Sequence, residues 1–171
     1  MANRDNPRGF FPIGHLTGGE IRMREYTLTT GATAYQGDLL KIVDAGTVEA
    51  GGADIGITAI GVAAQYATDS GSAGGVKILV YDDFSIIFGV QADTGTATTA
   101  ADVGETANHV AGSGSATTKL SGHELDSSDI ATGAQLKIVG LMTEPDNAWG
   151  EHSKLKVIFN EHFYKAAVAG V

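Results

Sequence analysis

Five histidines are the residues of this chain best suited to acid–base chemistry or metal binding near neutral pH. They are His15, His109, His123, His152 and His162, and the two closest are ten residues apart. Histidines that bind zinc from one structural element lie about three to five residues apart. The spacing therefore predicts no zinc site, and each histidine is expected at the surface or buried with its hydrogen bonds satisfied. A site that only the fold assembles stays open.

Paired carboxylates offer a second kind of chemistry. Asp82 with Asp83, and Asp126 with Asp129, have the composition of a calcium site or of a general acid–base pair. Calcium loops alternate their oxygen ligands and add a distant carboxylate, and the chain lacks the DxDxDG spacing. Aspartate also favours turns, because its carboxylate accepts hydrogen bonds from nearby backbone amides. We therefore interpret Asp82 and Asp83 as a fold-determining turn.

Motifs for phosphate binding and for nucleophilic catalysis are also missing. The run GSGSATTK at 112–119 places glycines before a lysine, but it differs from the GxxxxGK[ST] loop and follows no strong strand. Ser113 and Ser115 lie in no GxSxG elbow. The sequence predicts a protein that is not an enzyme, with no catalytic, cofactor-binding or metal-binding residues.

Composition limits the compartments and partners that can be expected. The 171 residues include no cysteine, no seven-residue apolar run near the start, and no stretch approaching the ~18 apolar residues that span a membrane. Residues 1–24 carry a net charge of +2, so the remainder carries −11 of the overall −9. An acidic body argues against binding nucleic acid, which needs a contiguous basic face. We expect a soluble protein with neither a nucleic-acid nor a membrane partner.

Elements that must position any site are predicted to be strands. The run KILVYDDFSIIFGVQAD at 77–93 predicts a β-hairpin of strand, tight turn and strand, with Asp82 and Asp83 in the turn. Similar apolar runs recur about every 8 to 12 residues, and helical periodicity is nearly absent. The 24 glycines lie mainly between these runs, where turns are expected. The predicted fold is all-β, an antiparallel β-sandwich or barrel.

Two segments depart from this pattern. Residues 1–19 are predicted to form an irregular N-terminal arm, and 20–171 a single β domain in which 94–134 is a loop-rich excursion. Within the excursion, TTAADVGE favours a short helix with Thr98 or Thr99 as its N-cap and Gly104 as its stop. The consecutive rings of Phe10 and Phe11 are expected to be buried, either in the chain's own body or against a second chain.

Four motifs together give the chain a resemblance to the capsid decoration, or cement, proteins of tailed bacteriophages. They are AYQGDLLKIVDAGTV (34–48), IGVAAQYATDS (60–70), VYDDFSIIFGVQAD (80–93) and IVGLMTEPDNAWGEHSKLKVIFNEH (138–162). Each motif is common in itself, and the specificity lies in their order and spacing. Related chains often carry proline where Phe84 stands and an acidic residue where Gly89 stands. These departures affect the turn and one strand position.

The resemblance implies a non-enzymatic structural protein of the virion. Such a protein binds the outer surface of the phage head and stabilises contacts between subunits of the major capsid protein. We expect a homo-oligomer, a trimer first and a dimer second. The residues expected to contact the capsid are Arg4, Arg8, Phe10, Phe11, Arg22 and Arg24.

Two alternatives remain from the sequence. A phage head-fibre or host-surface-binding β module would use residues 94–134 as an exposed adhesive surface. A small β-barrel hydrolase or carbohydrate-binding domain would require histidines and carboxylates to converge in a pocket.

Overall fold

The computed structural model describes residues 3–43, 45–53, 55–71 and 75–165. Three single-turn 3₁₀ helices, Gly56–Thr58, Ala100–Asp102 and Ser127–Asp129, interrupt the strands. No helix among the described residues has the length and apolar character to cross a membrane. In chain order the strands are β1 (Phe11–His15), β2 (Arg24–Thr27), β3 (Thr33–Ala34), β4 (Leu39–Ile42), β5 (Val48–Ala50), β6 (Ala59–Ala63), β7 (Ala67–Thr68), β8 (Lys77–Tyr81), β9 (Ile86–Gln91), β10 (Thr106–Ala107), β11 (His109–Val110), β12 (Glu124–Leu125), β13 (Leu136–Leu141) and β14 (Lys154–Phe159).

Two five-stranded antiparallel sheets form a β-sandwich. Sheet A has the spatial order β1-β9-β14-β13-β10, and sheet B has the order β2-β8-β6-β4-β5. Two short ribbons, β3–β7 and β11–β12, complete the described strands. Among these strands each large sheet keeps two free edges, so the arrangement is a sandwich and not a closed barrel. The predicted all-β antiparallel class is confirmed.

Two strands of sheet A, β13 and β14, alternate between a buried and a more accessible face, whereas β9 is buried on both faces from Phe88 to Gln91. In β14, Leu155, Val157 and Phe159 are buried between more accessible neighbours, as period-2 geometry requires. The rings of Phe88 and Phe159 pack edge to face with centroids 5.6 Å apart. This face and one face of sheet B share the larger core of the protein.

Sheet B buries both of its faces. Leu39 and Leu40 are adjacent and fully buried, yet Leu39 belongs to the core shared with sheet A and Leu40 to a second core. Successive side chains of a strand point to opposite faces, so a doubly buried strand appears as an unbroken apolar run. The second core includes Ala34 of β3 and Ala67 of β7.

The connection between β8 and β9 differs from the predicted one. The turn itself is confirmed, because Asp83 Oδ1 accepts from the Ser85 amide at 2.8 Å and the Asp83 carbonyl accepts from Ile86 N at 3.1 Å. The strands on either side do not pair with each other, however: β8 pairs with β2 and β6, whereas β9 pairs with β1 and β14. Residues 82–85 therefore carry the chain from sheet B to sheet A, and the prediction of a paired hairpin was wrong.

The N-terminal segment is part of the domain. β1 runs antiparallel to β9, with Phe11 opposite Gly89 and His15 opposite Ile86. Phe10 is only 2% exposed and belongs to the larger core. The boundary predicted after residue 19 therefore cuts through the sandwich, because the edge strand of sheet A comes from the segment that composition marked as an arm.

Residues 94–134 are loop-rich, as predicted, but they do not simply run over the surface. Ala107 and Leu125 are both buried in the larger core. The predicted short helix is a single 3₁₀ turn, Ala100–Asp102, preceded by Thr99, whose amide donates to Asp102 Oδ2 at 2.6 Å. Short buried elements escape period-based prediction because two-residue strands show no period.

Candidate docking surface

Asp82 is held in place at the end of β8 by two donors from β2. Its side chain is 4% exposed, and Oδ2 lies 3.3 Å from Arg24 Nε and accepts from the Tyr26 hydroxyl at 2.7 Å. The Tyr26 hydroxyl also lies 3.0 Å from that of Tyr164. Burial, together with these two hydrogen bonds, raises the pKa of Tyr26, so the phenol stays protonated and continues to donate.

Asp83 is anchored from the other side by the N-terminal segment. His15 Nε2 lies 3.3 Å from Asp83 Oδ2, and Arg22 Nη2 lies 3.8 Å from the same oxygen. Burial alone would raise the pKa of Asp83, but hydrogen bonds from Ser85 and His15 outweigh it and hold that pKa below its usual value. Both aspartates of the turn are thus occupied by neighbours within the chain.

Apolar side chains surround this anchored turn and point toward solvent. Phe84 is 38% exposed, and Leu16, whose amide donates to the Ser85 carbonyl at 2.9 Å, is 52% exposed. Tyr164 is 46% exposed, and the Arg24 guanidinium lies 5.6 Å from the centre of its ring. A groove of about 370 Å³ runs between these groups. We call this region the docking surface, and its residues are Leu16, Arg22, Arg24, Phe84, Phe163 and Tyr164.

The docking surface combines features of a protein–protein contact. Aromatic and arginine side chains are enriched at such contacts, because they bury large areas and keep directional polar groups. The Arg22 and Arg24 side chains remain 66% and 57% exposed, although both face an aspartate. The ion pairs hold the guanidinium groups in position, which lowers the entropy lost when a partner binds.

The six residues expected to contact a capsid do not lie together. Arg22 and Arg24 belong to the docking surface, but Phe10 is a core residue and cannot touch a partner in this conformation. The Arg8 guanidinium lies 4.1 Å from the centre of the half-buried Phe11 ring. Because β1 runs antiparallel to β9, the residues before β1 lie near the C-terminal end of β9, away from the docking surface. Arg4 lines a pocket there together with Asn147.

Phe11 also accounts for the glycine at position 89. A Cβ atom on Gly89 would lie 2.5 Å from the Phe11 ring and 2.7 Å from the Met142 sulfur. An acidic side chain at this position would have to displace that ring.

Three of the five histidines, His109, His123 and His162, are buried. The expectation that a buried histidine has its hydrogen bonds satisfied is not met at His162, because its buried Nε2 has no hydrogen-bond partner among the described residues. The rings of His109 and His123 stack with centroids 5.0 Å apart, and His123 Nδ1 accepts from Leu39 N at 3.2 Å. His123 Nε2 lies 3.5 Å from Asp38 Oδ1. Burial lowers the pKa of His123 to about 3, so the imidazole is neutral at pH 7.

The His123–Asp38 pair has the composition of a catalytic couple but not its accessibility. Both side chains are 4% exposed, so a substrate could not approach either of them. His162, 1% exposed, lies under the docking surface, with its ring centre 5.9 Å from that of Phe84. These histidines support the fold and the docking surface from below.

Sequence reasoning found Arg22, Arg24, Asp82 and Asp83 but did not group them. It also missed Leu16, Phe84, Phe163 and Tyr164, because a single exposed apolar residue has no distinguishing pattern in a sequence. The departure at Phe84 was the one available signal, since a large ring in a polar turn is unusual. Neither the protein-family models nor the curated proteins compared with this chain match it.

Proposed function

We propose that this chain is a non-enzymatic structural protein that binds the outer surface of a tailed-phage head and stabilises contacts between major capsid subunits. One observation supports this most: a docking surface with exposed aromatic and arginine side chains on an otherwise acidic protein. The sequence motifs that resemble phage decoration proteins support the same assignment. Two of those motifs, 80–93 and 138–162, include or adjoin the docking surface.

The chemistry of the docking surface favours a protein partner with apolar and acidic groups. Burying the accessible parts of Leu16, Phe84 and Tyr164 would contribute about 1 kcal/mol each before ordering costs. Arg22 and Arg24 would pair with carboxylates of the partner. Asp82 and Asp83 already restrict both guanidinium groups, so a partner would cost these side chains little further conformational entropy.

Oligomerisation belongs to the same proposal. A trimer at local three-fold positions of the head would place three docking surfaces against three neighbouring subunits, and a dimer is the second choice. Multivalent attachment raises the apparent affinity without any new type of contact. The head-fibre alternative needs an exposed adhesive surface at 94–134. That segment exposes residues 115–119 but also buries Ala107, His109 and Leu125, and the copy number in particles decides between the two functions.

Binding to undecorated heads tests the proposal directly. The double variant Phe84→Ala/Arg22→Ala removes one apolar and one basic group of the docking surface, and both side chains are well exposed, so folding should be retained. We expect its affinity for heads to fall at least tenfold. A matched control, Val103→Ala/Lys137→Ala, removes one exposed apolar and one exposed basic group toward the opposite edge of sheet A and should bind normally. Unchanged binding of the first variant would refute the docking surface.

The copy number in purified particles separates the candidate functions. A number close to that of the major capsid protein is expected for a cement protein, whereas a few copies per particle would indicate a fibre. Absence from particles would overturn the proposal. Deleting residues 1–19 is a poor test of binding, because the deletion also removes β1 and the core residue Phe10.

A further inference from the structure

Three potential metal ligands that are distant in sequence meet at the end of β9 away from the docking surface. They are Asp5 of the N-terminal segment, Glu124 of β12 and His152 of the β13–β14 connection. One ligand atom from each lies within 4.8 Å of the other two. We propose that Asp5, Glu124 and His152 bind a divalent transition-metal ion, which fastens the N-terminal segment to the body of the sandwich.

The electrostatics of this triad favour a cation. Among the described residues, no lysine or arginine nitrogen lies within 4.0 Å of either carboxylate. The histidine ring is the one nitrogen base in ion-pairing range, with Nδ1 3.7 Å from Asp5 Oδ1. The like charges of Asp5 and Asp93 act on the half-buried Glu124 carboxylate. A bound cation would relieve this repulsion.

A neutral amide now holds the carboxylates together. Gln91 Nε2 donates to Asp5 Oδ1 and to Glu124 Oε1 at 3.0 Å each, and it lies 3.4 Å from His152 Nδ1. Gln91 Nε2 therefore lies within contact distance of all three candidate ligand groups. A metal ion takes that place when the Gln91 side chain turns aside, so Gln91 is not required as a ligand.

The donor set selects the kind of metal. Two carboxylate oxygens and one imidazole nitrogen suit Zn²⁺ or Mn²⁺, whereas Mg²⁺ and Ca²⁺ prefer oxygen ligands throughout. Metal–ligand bonds of about 2.1 Å place ligand atoms about 3–3.5 Å apart, so the triad must contract. The Asp5 side chain is 61% exposed and is free to make that movement.

The consequence is structural. Asn3 and Asn6 already attach the N-terminal segment through hydrogen bonds: Asn3 Nδ2 donates to the Ala148 and Glu151 carbonyls at 2.8 Å, and Asn6 N donates to Gln91 Oε1 at 3.1 Å. A metal ion at the triad would replace the hydrogen bonds of Gln91, including the one from Asn6 N, by metal–ligand bonds that join residue 5, β12 and the β13–β14 connection. The N-terminal segment would then be attached to the sandwich at residue 5 by the metal ion and at residues 11–15 by the pairing of β1.

Metal titration of the intact chain tests this inference and does not depend on capsid binding. After treatment with EDTA and dialysis, the protein is titrated calorimetrically with ZnCl₂ or MnCl₂, and with MgCl₂ for comparison. We expect one saturable Zn²⁺ or Mn²⁺ site per chain and a rise in melting temperature of about 5–10 °C at a hundredfold excess over the dissociation constant. No saturable binding by the wild-type chain would overturn the inference.

Matched variants locate the site. Glu124→Gln and Asp5→Asn keep the side-chain size but remove a charged ligand, and each should weaken binding at least tenfold and abolish the thermal shift. Glu105→Gln removes one exposed carboxylate elsewhere and should leave both unchanged. Gln91→Ala should bind at least as tightly as the wild type. Binding by Glu124→Gln equal to that of the wild type would overturn the assignment, even if the chain binds metal elsewhere.

Discussion

Truncating Phe10 to alanine should destabilise the protein by about 3–5 kcal/mol, the usual cost of removing a buried ring. The ring is 2% exposed and belongs to the core shared by the two sheets. It packs edge to face on His109 with centroids 6.4 Å apart. The Phe10 amide donates to the Gly37 carbonyl at 2.9 Å, so the backbone is fixed and the surroundings cannot easily fill the cavity.

Urea unfolding at pH 7 measures this loss as a lower midpoint with an unchanged slope. For a chain of 171 residues, each kcal/mol changes the melting temperature by about 2–4 °C, so a fall of roughly 6–20 °C is expected. Phe84→Ala is the matched control, because that ring is 38% exposed. Its cost should stay below about 1 kcal/mol.

Head binding separates the roles of the two rings. Phe84→Ala should weaken binding while the chain stays folded, whereas Phe10→Ala should bind normally under conditions where it is folded. A loss of less than about 1 kcal/mol for Phe10→Ala, combined with weaker binding to heads, would refute the core assignment. The N-terminal segment would then be a docking arm after all.

Three further substitutions test other parts of the structure. Asp82→Val removes the acceptor of the half-buried Tyr26 hydroxyl and of the exposed Arg24 side chain and should cost about 1–3 kcal/mol in urea unfolding; full stability with lost head binding would show instead that the turn faces the partner. Gly61→Ala places a Cβ 2.2 Å from the Tyr81 carbonyl oxygen and should prevent soluble folding, whereas Gly46→Ala, with φ +72° and open space, should cost only about 1 kcal/mol; equal effects would contradict the close approach. Burial lowers the pKa of His162 to about 4, against an ordinary 6.5. The unfolded chain therefore takes up the proton first, and the contribution of His162 to stability should fall by about 2 kcal/mol between pH 6.5 and 4.5. His162→Gln should lose correspondingly less over that range, and an equal loss would show that other groups control the acid transition.

The groups around His162 change its pKa in opposite directions. The carboxylates of Asp82 and Asp83 favour its protonated form, as does a hydrogen bond involving the backbone of Ile60, whereas Lys165 opposes it. Desolvation is the largest of these effects, and it sets the sign. Circular dichroism during acid titration at low temperature would follow the same transition without denaturant.

The periodicity of hydrophobic residues predicted the fold class because side-chain alternation is local. Leu155, Val157 and Phe159 alternate with more accessible neighbours, and so do Ile78 and Val80 in β8. The turn was also predictable at Asp83, since a short carboxylate accepts from an amide two residues away, whereas Asp82 binds Tyr26 and Arg24 of β2. The alternation and the turn at Asp83 depend on interactions over a few residues.

The pairing of strands was decided by the tertiary structure. The run at 77–93 contains two strands and a turn, as its sequence predicts, but β8 and β9 enter different sheets. The free energy of pairing depends on which apolar faces meet across the core, and that information is spread over the whole chain. The same cause placed Phe10 inside the sandwich and brought Asp5, Glu124 and His152 together.

What the sequence determined by itself was therefore the all-β class, the turn chemistry and the acidic body with its basic start. Only the tertiary structure grouped Arg22 and Arg24 with Phe84 and Tyr164 on one surface. Exposure and proximity are properties of the packed chain, since residues separated by more than a hundred positions become neighbours only when both sheets close over the core.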